Sequence, residues 1–175
     1  MADKPKVLFL FPHSVAQLAE ATRLGKQPSE RVYGANELAA RGWRITFSDA
    51  RFEGWVGLLV ARLRAFGFNL IDLTTVQQIR SHDIVLVKDD FSVPISFACW
   101  LFGKKLVYYD SMFQIPKKRF YRICSNYCLN HCDLVLAYSE YQIELWRNVF
   151  HLSRDRFKKV PYAMDRAFYR DGLPP

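Results

Sequence analysis

Three of the four cysteines and one of the four histidines fall within the nine residues CSNYCLNHC, as Cys124, Cys128, His131 and Cys132. Thiolates and imidazoles at close spacing are the groups that make zinc sites and redox dithiols. On a helix the i, i+4, i+8 spacing puts the cysteines on one side but spreads them along the axis. The outer two would stand ~12 Å apart, whereas two thiolates on one zinc are at most about 4.6 Å apart. All three therefore cannot hold one ion, and side chains four apart run nearly parallel, which suits a disulfide poorly. Phe120, Ile123 and Tyr127 fall on the same side, so the spacing predicts three small buried hydrophobes packed on a sheet. The spacing leaves open a smaller site in which Cys128, His131 or Cys132 is completed by ligands from elsewhere in the chain.

Other residues with chemical potential follow short apolar runs. His13 and Ser14 follow KVLFLFP, Lys88, Asp89 and Asp90 follow DIVLV, Asp110 and Ser111 follow KKLVYY, and Ser139 and Glu140 follow DLVLAY. If those runs are parallel strands, the residues gather at the carboxyl edge of one sheet, where ligands of open α/β sheets bind. His13 reads either as a group orienting a hydroxyl or phosphate, or as a strand-end histidine bonded to backbone. Asp89 and Asp90, adjacent at a strand end, point apart, so they are not a carboxylate pair of the glycosidase kind. The stretch from Pro12 to Pro28 reads as a βα loop of unusual length. Lys26, Arg31 and a helix start at Ser29 offer contacts to an anion there. No G-x-G-x-x-G follows the first strand, which argues against dinucleotide binding, and no metal centre or cofactor is expected.

The elements that must position these residues alternate regularly. Strands are expected at KVLFLF, WRITFSD, NLIDL, DIVLVKDD, KKLVYYD and DLVLAYS. Helices are expected over SERVYGANELAARGW (from Ser29 to Gly42), EGWVGLLVARLRAFGF, SVPISFACWLFG, KKRFYRICSNYCLNH and EYQIELWRNVF. Alternation of this kind predicts an α/β fold, a Rossmann-like three-layer α/β/α sandwich around a mostly parallel sheet. At 175 residues the chain is long enough for one domain with its own core, and half of it is hydrophobic;. The first six residues are polar and VLFLF is too short for the apolar core of a signal peptide. No apolar segment reaches the ~18 residues of a spanning helix, so a reducing, cytoplasmic setting is expected, with thiols rather than disulfides. The net charge of +8 predicts a polyanionic or membrane-surface partner. Nucleic acid has only that charge behind it, with no recognition motif, and is not expected.

HCDLVLAYSEYQIELW, followed by FKKVPYAMDRAFYR, resembles the second half of the N-terminal domain of GT-B fold glycosyltransferases, particularly the retaining family 4 type. Asp133, Val135 and Ser139 match that family's strand-to-helix pattern a-D-x-V-x-x-x-S. Val160, Pro161, Asp165 and Phe168 match its V-P-x-G-V-D-x-x-x-F, with Ala163 in the glycine position. KVLFLFP and ELAARGWRITFSD are similar to its opening. The resemblance implies a Rossmann-like acceptor-binding domain over residues 1–170 and the start of an interdomain linker at 171–175. The C-terminal domain that holds the nucleotide sugar would be absent. The chain would then be an isolated N-terminal half, or the partner of a separate donor-binding subunit, and inactive by itself.

The resemblance further implies transfer of a sugar, with retention, from a nucleotide-sugar donor to a lipid-linked or polysaccharide acceptor. Asp110 stands where such enzymes carry a histidine or aspartate that contacts the acceptor or the transferred sugar, which makes it the candidate catalytic residue. As a carboxylate capping the following turn it would be purely structural, and the two readings weigh equally. His13, Ser14, Arg31, Lys88, Asp89, Ser111, Ser139 and Glu140 are the acceptor-binding candidates.

Two basic stretches suggest peripheral contact with the inner face of a membrane. WVGLLVARLRAFGF interleaves aromatic and aliphatic residues with Arg62 and Arg64, the composition of an interfacial helix and also of a helix packed on a sheet with solvated arginines. Lys117, Lys118 and Arg119 crowd a helix N-terminus, where the dipole disfavours each by ~0.3 to 1 kcal/mol, which hints at an external anion. The alternative from another class is a non-catalytic basic α/β module that binds a membrane surface or a partner protein.

Overall fold

The computed structural model describes residues 4–11, 16–27, 32, 34–48, 55, 70–88, 91–109 and 115–160. Among the described residues are six strands: β1 (Lys6–Leu10), β2 (Arg44–Phe47), β3 (Ile84–Lys88), β4 (Lys105–Tyr109), β5 (Leu134–Ala137) and β6 (Phe157–Lys159). The helices of the described residues are α1 (Ala16–Arg23), α2 (Ala35–Ala40), α3 (Leu70–Arg80), α4 (Val93–Leu101), α5 (Arg119–Asn130) and α6 (Glu140–Phe150). All five strand pairings are parallel and the order is β2-β1-β3-β4-β5-β6. This is the Rossmann-like α/β sheet expected from the alternation.

Side chains alternate between two apolar layers, as the two-residue period of a strand dictates. Leu8, Leu10, Val85, Val87, Leu106 and Tyr108 face the layer that holds Ile79, Ile95, Cys99, Leu129, Ile143 and Trp146, from α3 to α6. Val7, Phe9, Leu86 and Tyr109 face the other, where Leu18 of α1 and Ala35 and Leu38 of α2 pack. Both faces of the inner strands are therefore dry, which is why β1 and β3 read as unbroken apolar runs.

Two aspartates set the strand starts. The Asp83 carboxylate accepts from the Lys6 backbone N–H at 2.8 Å, and Asp83 N–H donates back to the Lys6 carbonyl at 2.9 Å. Asp133 repeats the device one strand pair away, accepting from Leu106 N–H at 2.8 Å and donating to its carbonyl at 2.9 Å. Each aspartate stands just before its own strand and fastens the first residues of the neighbouring one.

Four expectations about elements are corrected. NLIDL is not a strand: Leu70 starts helix α3, which runs to Arg80. The apolar residues at 70, 73, 76 and 79 recur every three residues, a helical spacing that the five-residue window cut off. The sixth strand is instead Phe157–Lys159 at the sheet edge, paired to β5. The stretch from Pro12 to Pro28 is not one long loop, since it contains α1, which gives way to a turn in which Gly25 has φ 71°. The helix expected from Ser29 is broken at Gly34, whose φ is 81°: Ser29 itself lies outside the described residues, and α2 runs from Ala35 and stops before Gly42, whose φ of 82° ends it as the sequence implied;.

Candidate functional site

In a parallel sheet every strand ends at the same edge. The order reverses between β1 and β3, with β2 on one side and β4 to β6 on the other, and this reversal is where open α/β sheets bind ligands;. The candidate site is the carboxyl edge there, at Leu10 ending β1 and Phe11 after it, Lys88 ending β3, Tyr109 ending β4 and Tyr138 to Glu140 after β5.

Lys88 is buried, with 4% of its surface exposed. Lysine is rarely enclosed to that degree, because desolvating an ammonium is expensive unless it is paired. A buried cation at the last residue of the strand beside the switch point is the most unusual chemical feature of the described edge. Beside it Tyr109 and Tyr138 lie with ring centroids 5.5 Å apart. Beneath the edge, the Tyr108 hydroxyl lies 2.8 Å from Ser96 Oγ and donates to the Ser92 carbonyl at 3.4 Å. Burial and the neighbouring Cys128 push the Tyr108 phenol well above its ordinary value. Ser92 caps α4 by accepting from Ile95 N–H at 3.3 Å.

At the end of β5 the site residues have structural partners. Ser139 is the N-cap of α6: its hydroxyl accepts from Gln142 N–H at 3.1 Å. The Gln142 carbonyl oxygen accepts from the backbone N–H of Ser139 at 3.0 Å and of Tyr138 at 2.8 Å. This capping box is what the sequence S-E-Y-Q encodes. Glu140 pairs with Arg154 at 2.8 Å on an exposed surface. Ser139, expected to bind acceptor, thus caps the helix in this structure, and Glu140, expected likewise, is ion-paired across α6 to Arg154.

Of the other candidates, Lys117 and Lys118 are exposed before α5, with Lys118 as its N-cap, and Arg119 is its exposed first residue. His13, Ser14, Arg31, Arg62, Arg64, Asp89, Asp110 and Ser111 lie outside the described residues.

The cysteine cluster resolves as packing, with one correction. Cys128 and Cys132 are buried in the core and Cys124 is half-buried. Burial pushes the thiols of Cys99 and Cys132 up to about 12, far from the range of a reactive thiolate. No group of three potential metal ligands occurs among the described residues. Phe120 and Ile123, however, do not face the sheet but are exposed. The buried side of α5 runs through Ser125, Cys128 and Leu129 to Cys132, an i, i+3, i+4, i+7 set, and Phe120 and Ile123 fall off it.

Sequence reasoning missed Arg156, which donates to the carbonyls of Leu129 at 3.2 Å, Asn130 at 2.8 Å and Cys132 at 3.4 Å. It thereby satisfies the C-terminal end of α5. Nothing in the local sequence could signal a cap supplied from more than twenty residues away.

No family model matches the chain, and no curated protein matches it. Solved structures do. The Anabaena protein Alr3699/HepE, determined in complex with UDP and glucose, aligns with a TM-score of 0.52 at 15% identity, over 91% of this chain and 44% of that one. A protein assigned as a UDP-N-acetylglucosamine 2-epimerase from Listeria monocytogenes gives 0.52 at 16% identity, over 89% and 44%. Arabidopsis thaliana UGT89C1, complexed with UDP-L-rhamnose, gives 0.50 at 14% identity, over 93% and 53%. The chain therefore spans about half the length of each. The likeness establishes the fold: a Rossmann-like α/β unit of the kind found in GT-B structures.

Proposed function

We propose that this chain is the acceptor-binding half of a retaining GT-B glycosyltransferase of the family 4 type. It works at a membrane surface on a lipid-linked or polysaccharide acceptor, and the nucleotide-sugar donor is held mainly by a second domain. The observation that carries the reading is the parallel sheet with its switch point beside β1 and β3 and a buried lysine at that edge. It is supported by structures of similar fold determined in complex with UDP and glucose and with UDP-L-rhamnose. In this reading Asp110, next after β4, contacts the acceptor or the transferred sugar. His13, Ser14, Arg31, Lys88, Asp89 and Ser111 belong to the acceptor side. The half alone does not transfer sugar.

The test is turnover of UDP-sugars by this chain alone and by the chain joined to its donor-binding domain, with product stereochemistry read by NMR. Transfer by the complete protein only, with the anomer retained, is the expected result. Asp110→Asn should lower kcat on the order of a hundredfold or more while leaving UDP affinity unchanged. Failure of the complete protein to bind any nucleotide sugar overturns the reading. The second reading, a non-catalytic basic module on a membrane or partner, is favoured by the exposed cationic and aromatic surface of α4 and α5.

A further inference from the structure

Helices α4 and α5 pack against each other and on the same face of the sheet, so they turn a common outer side to solvent. Their inner side is dry, with Ile95, Ala98 and Cys99 from one and Cys128 and Leu129 from the other. Their outer side is apolar as well: Phe97, Trp100 and Leu101 of α4 and Phe120 and Ile123 of α5 are exposed, Trp100 by 64% and Ile123 by 60%. The rings of Phe97 and Trp100 lie 5.7 Å apart. A single exposed leucine or phenylalanine is ordinary, but five large apolar side chains on adjacent helices mark an interaction surface.

The charge on this surface has one sign. Lys117, Lys118, Arg119 and Arg122 are exposed around the start of α5, and Lys105 is exposed beyond the end of α4. Residues 91–109 and 115–131 contain no aspartate or glutamate at all. Two copies of the chain meeting through this face would oppose like charges, which disfavours self-association. The outer side of a helix layer is broad, and here it carries exposed phenylalanine, tryptophan and leucine on α4 and phenylalanine, isoleucine and cations on α5. That composition seats at the headgroup level of a bilayer, with aromatic rings in the interface and cations on anionic lipid.

We propose that the outer face of α4 and α5 is a docking surface for an anionic lipid bilayer. The inference deepens the membrane-surface part of the proposed function and is independent of sugar transfer. The geometry gives it a consequence. Helix α5 returns from the end of β4 towards the start of β5, so Lys118 and Arg119 stand at the same end of the molecule as the sheet's carboxyl edge. Docking through this face would hold the candidate site beside the bilayer surface.

The experiment is vesicle co-sedimentation of the protein with phosphatidylcholine alone and with phosphatidylcholine containing phosphatidylglycerol, at low and high salt. Binding to the anionic vesicles only, weakened by salt, is expected. Each surface cation contributes about fivefold to partitioning, so K117Q/K118Q/R119Q/R122Q should lower it by several hundredfold. F97S/W100S should lower it at least tenfold, and circular dichroism should show both variants folded, because every changed side chain is exposed. Trp100 fluorescence in the wild type, assigned by W100F, should be quenched by brominated lipid. No binding to anionic vesicles, equal binding by either variant, or unquenched Trp100 overturns the proposal. Binding to a soluble polyglutamate without binding to vesicles also overturns it, in favour of an acidic protein partner. None of these outcomes depends on nucleotide-sugar turnover, so this inference and the transferase reading stand or fall separately.

Discussion

Ser139→Ala separates the two roles that the residue has been given. In the structure the hydroxyl accepts from Gln142 N–H at 3.1 Å, while the Gln142 side chain holds the N–H groups of Ser139 and Tyr138. Removing the hydroxyl leaves one helix-terminal donor without its acceptor, a loss of ~1 kcal/mol within a range of about 0.5 to 2. For a domain of this size that lowers Tm by roughly 2 to 4 °C per kcal/mol. Gln142→Ala strips two backbone donors at once and should cost about 1 to 3 kcal/mol. The two changes dismantle one reciprocal unit, so the double variant should lose less than the sum of the singles. Ser139→Asp keeps an acceptor at the N-cap and adds a favourable charge to the helix start, so it should restore stability. Urea unfolding followed by circular dichroism measures all four, and the denaturant slope should stay unchanged, because α6 still buries Ile143, Trp146 and Phe150;. If Ser139→Ala unfolds at the wild-type midpoint, or Ser139→Asp is no more stable than Ser139→Ala, the capping argument is refuted. A loss of acceptor affinity in the complete protein, with stability intact, would then return Ser139 to the acceptor site.

Alkaline pH should destabilise the fold through the buried thiols. Burial raises Cys99 and Cys132 from 9.0 to about 12, so their contribution is fully present below pH 9 and is lost as pH rises from there towards 12. The loss is about 1.4 kcal/mol per thiol for each pH unit in that window. Urea midpoints at pH 7, 9 and 10 should fall in the wild type and fall less in Cys99→Ala/Cys132→Ala, with Tyr108 leaving a residual slope; a flat wild-type profile contradicts this. Asp133→Ala should cost about 1 to 3 kcal/mol by orphaning the part-buried Leu106 N–H, and Asp83→Ala should cost less, because the Lys6 N–H it frees is exposed to water. Thermal unfolding checks both, and a wild-type Tm for Asp133→Ala would show that the aspartate of the family-like pattern is not a strand fastener.

The motif that carried the family resemblance has a physical basis in this fold. Its aspartate joins two strand starts, its valine is a core residue of β5, and its serine caps α6. A pattern of this kind is legible because each part answers a local requirement: a backbone donor to be met, an apolar face to be filled, a helix end to be closed. The same pattern says little about chemistry, since the residues it fixes are busy holding the edge. Lys88, buried at the end of β3, is not part of that pattern.

Local sequence was sufficient wherever a requirement was met within a few residues. The apolar runs of β1, β3 and β4, the helices that follow Ser92 and Ser139 and the glycine stop at Gly42 are of that kind, because strand period and helix termini are short-range matters. It failed for NLIDL, where a five-residue window could not show the helical spacing that continued beyond it. Tertiary structure alone decided the rest. It put Phe157–Lys159 at the sheet edge, brought Arg156 to the end of α5 and buried Lys88. It also turned Trp100, Phe120 and Ile123 outward from helices whose sequences do not announce an outer side. Which face of an apolar helix is covered depends on the neighbours packed against it, and those neighbours are distant in the chain.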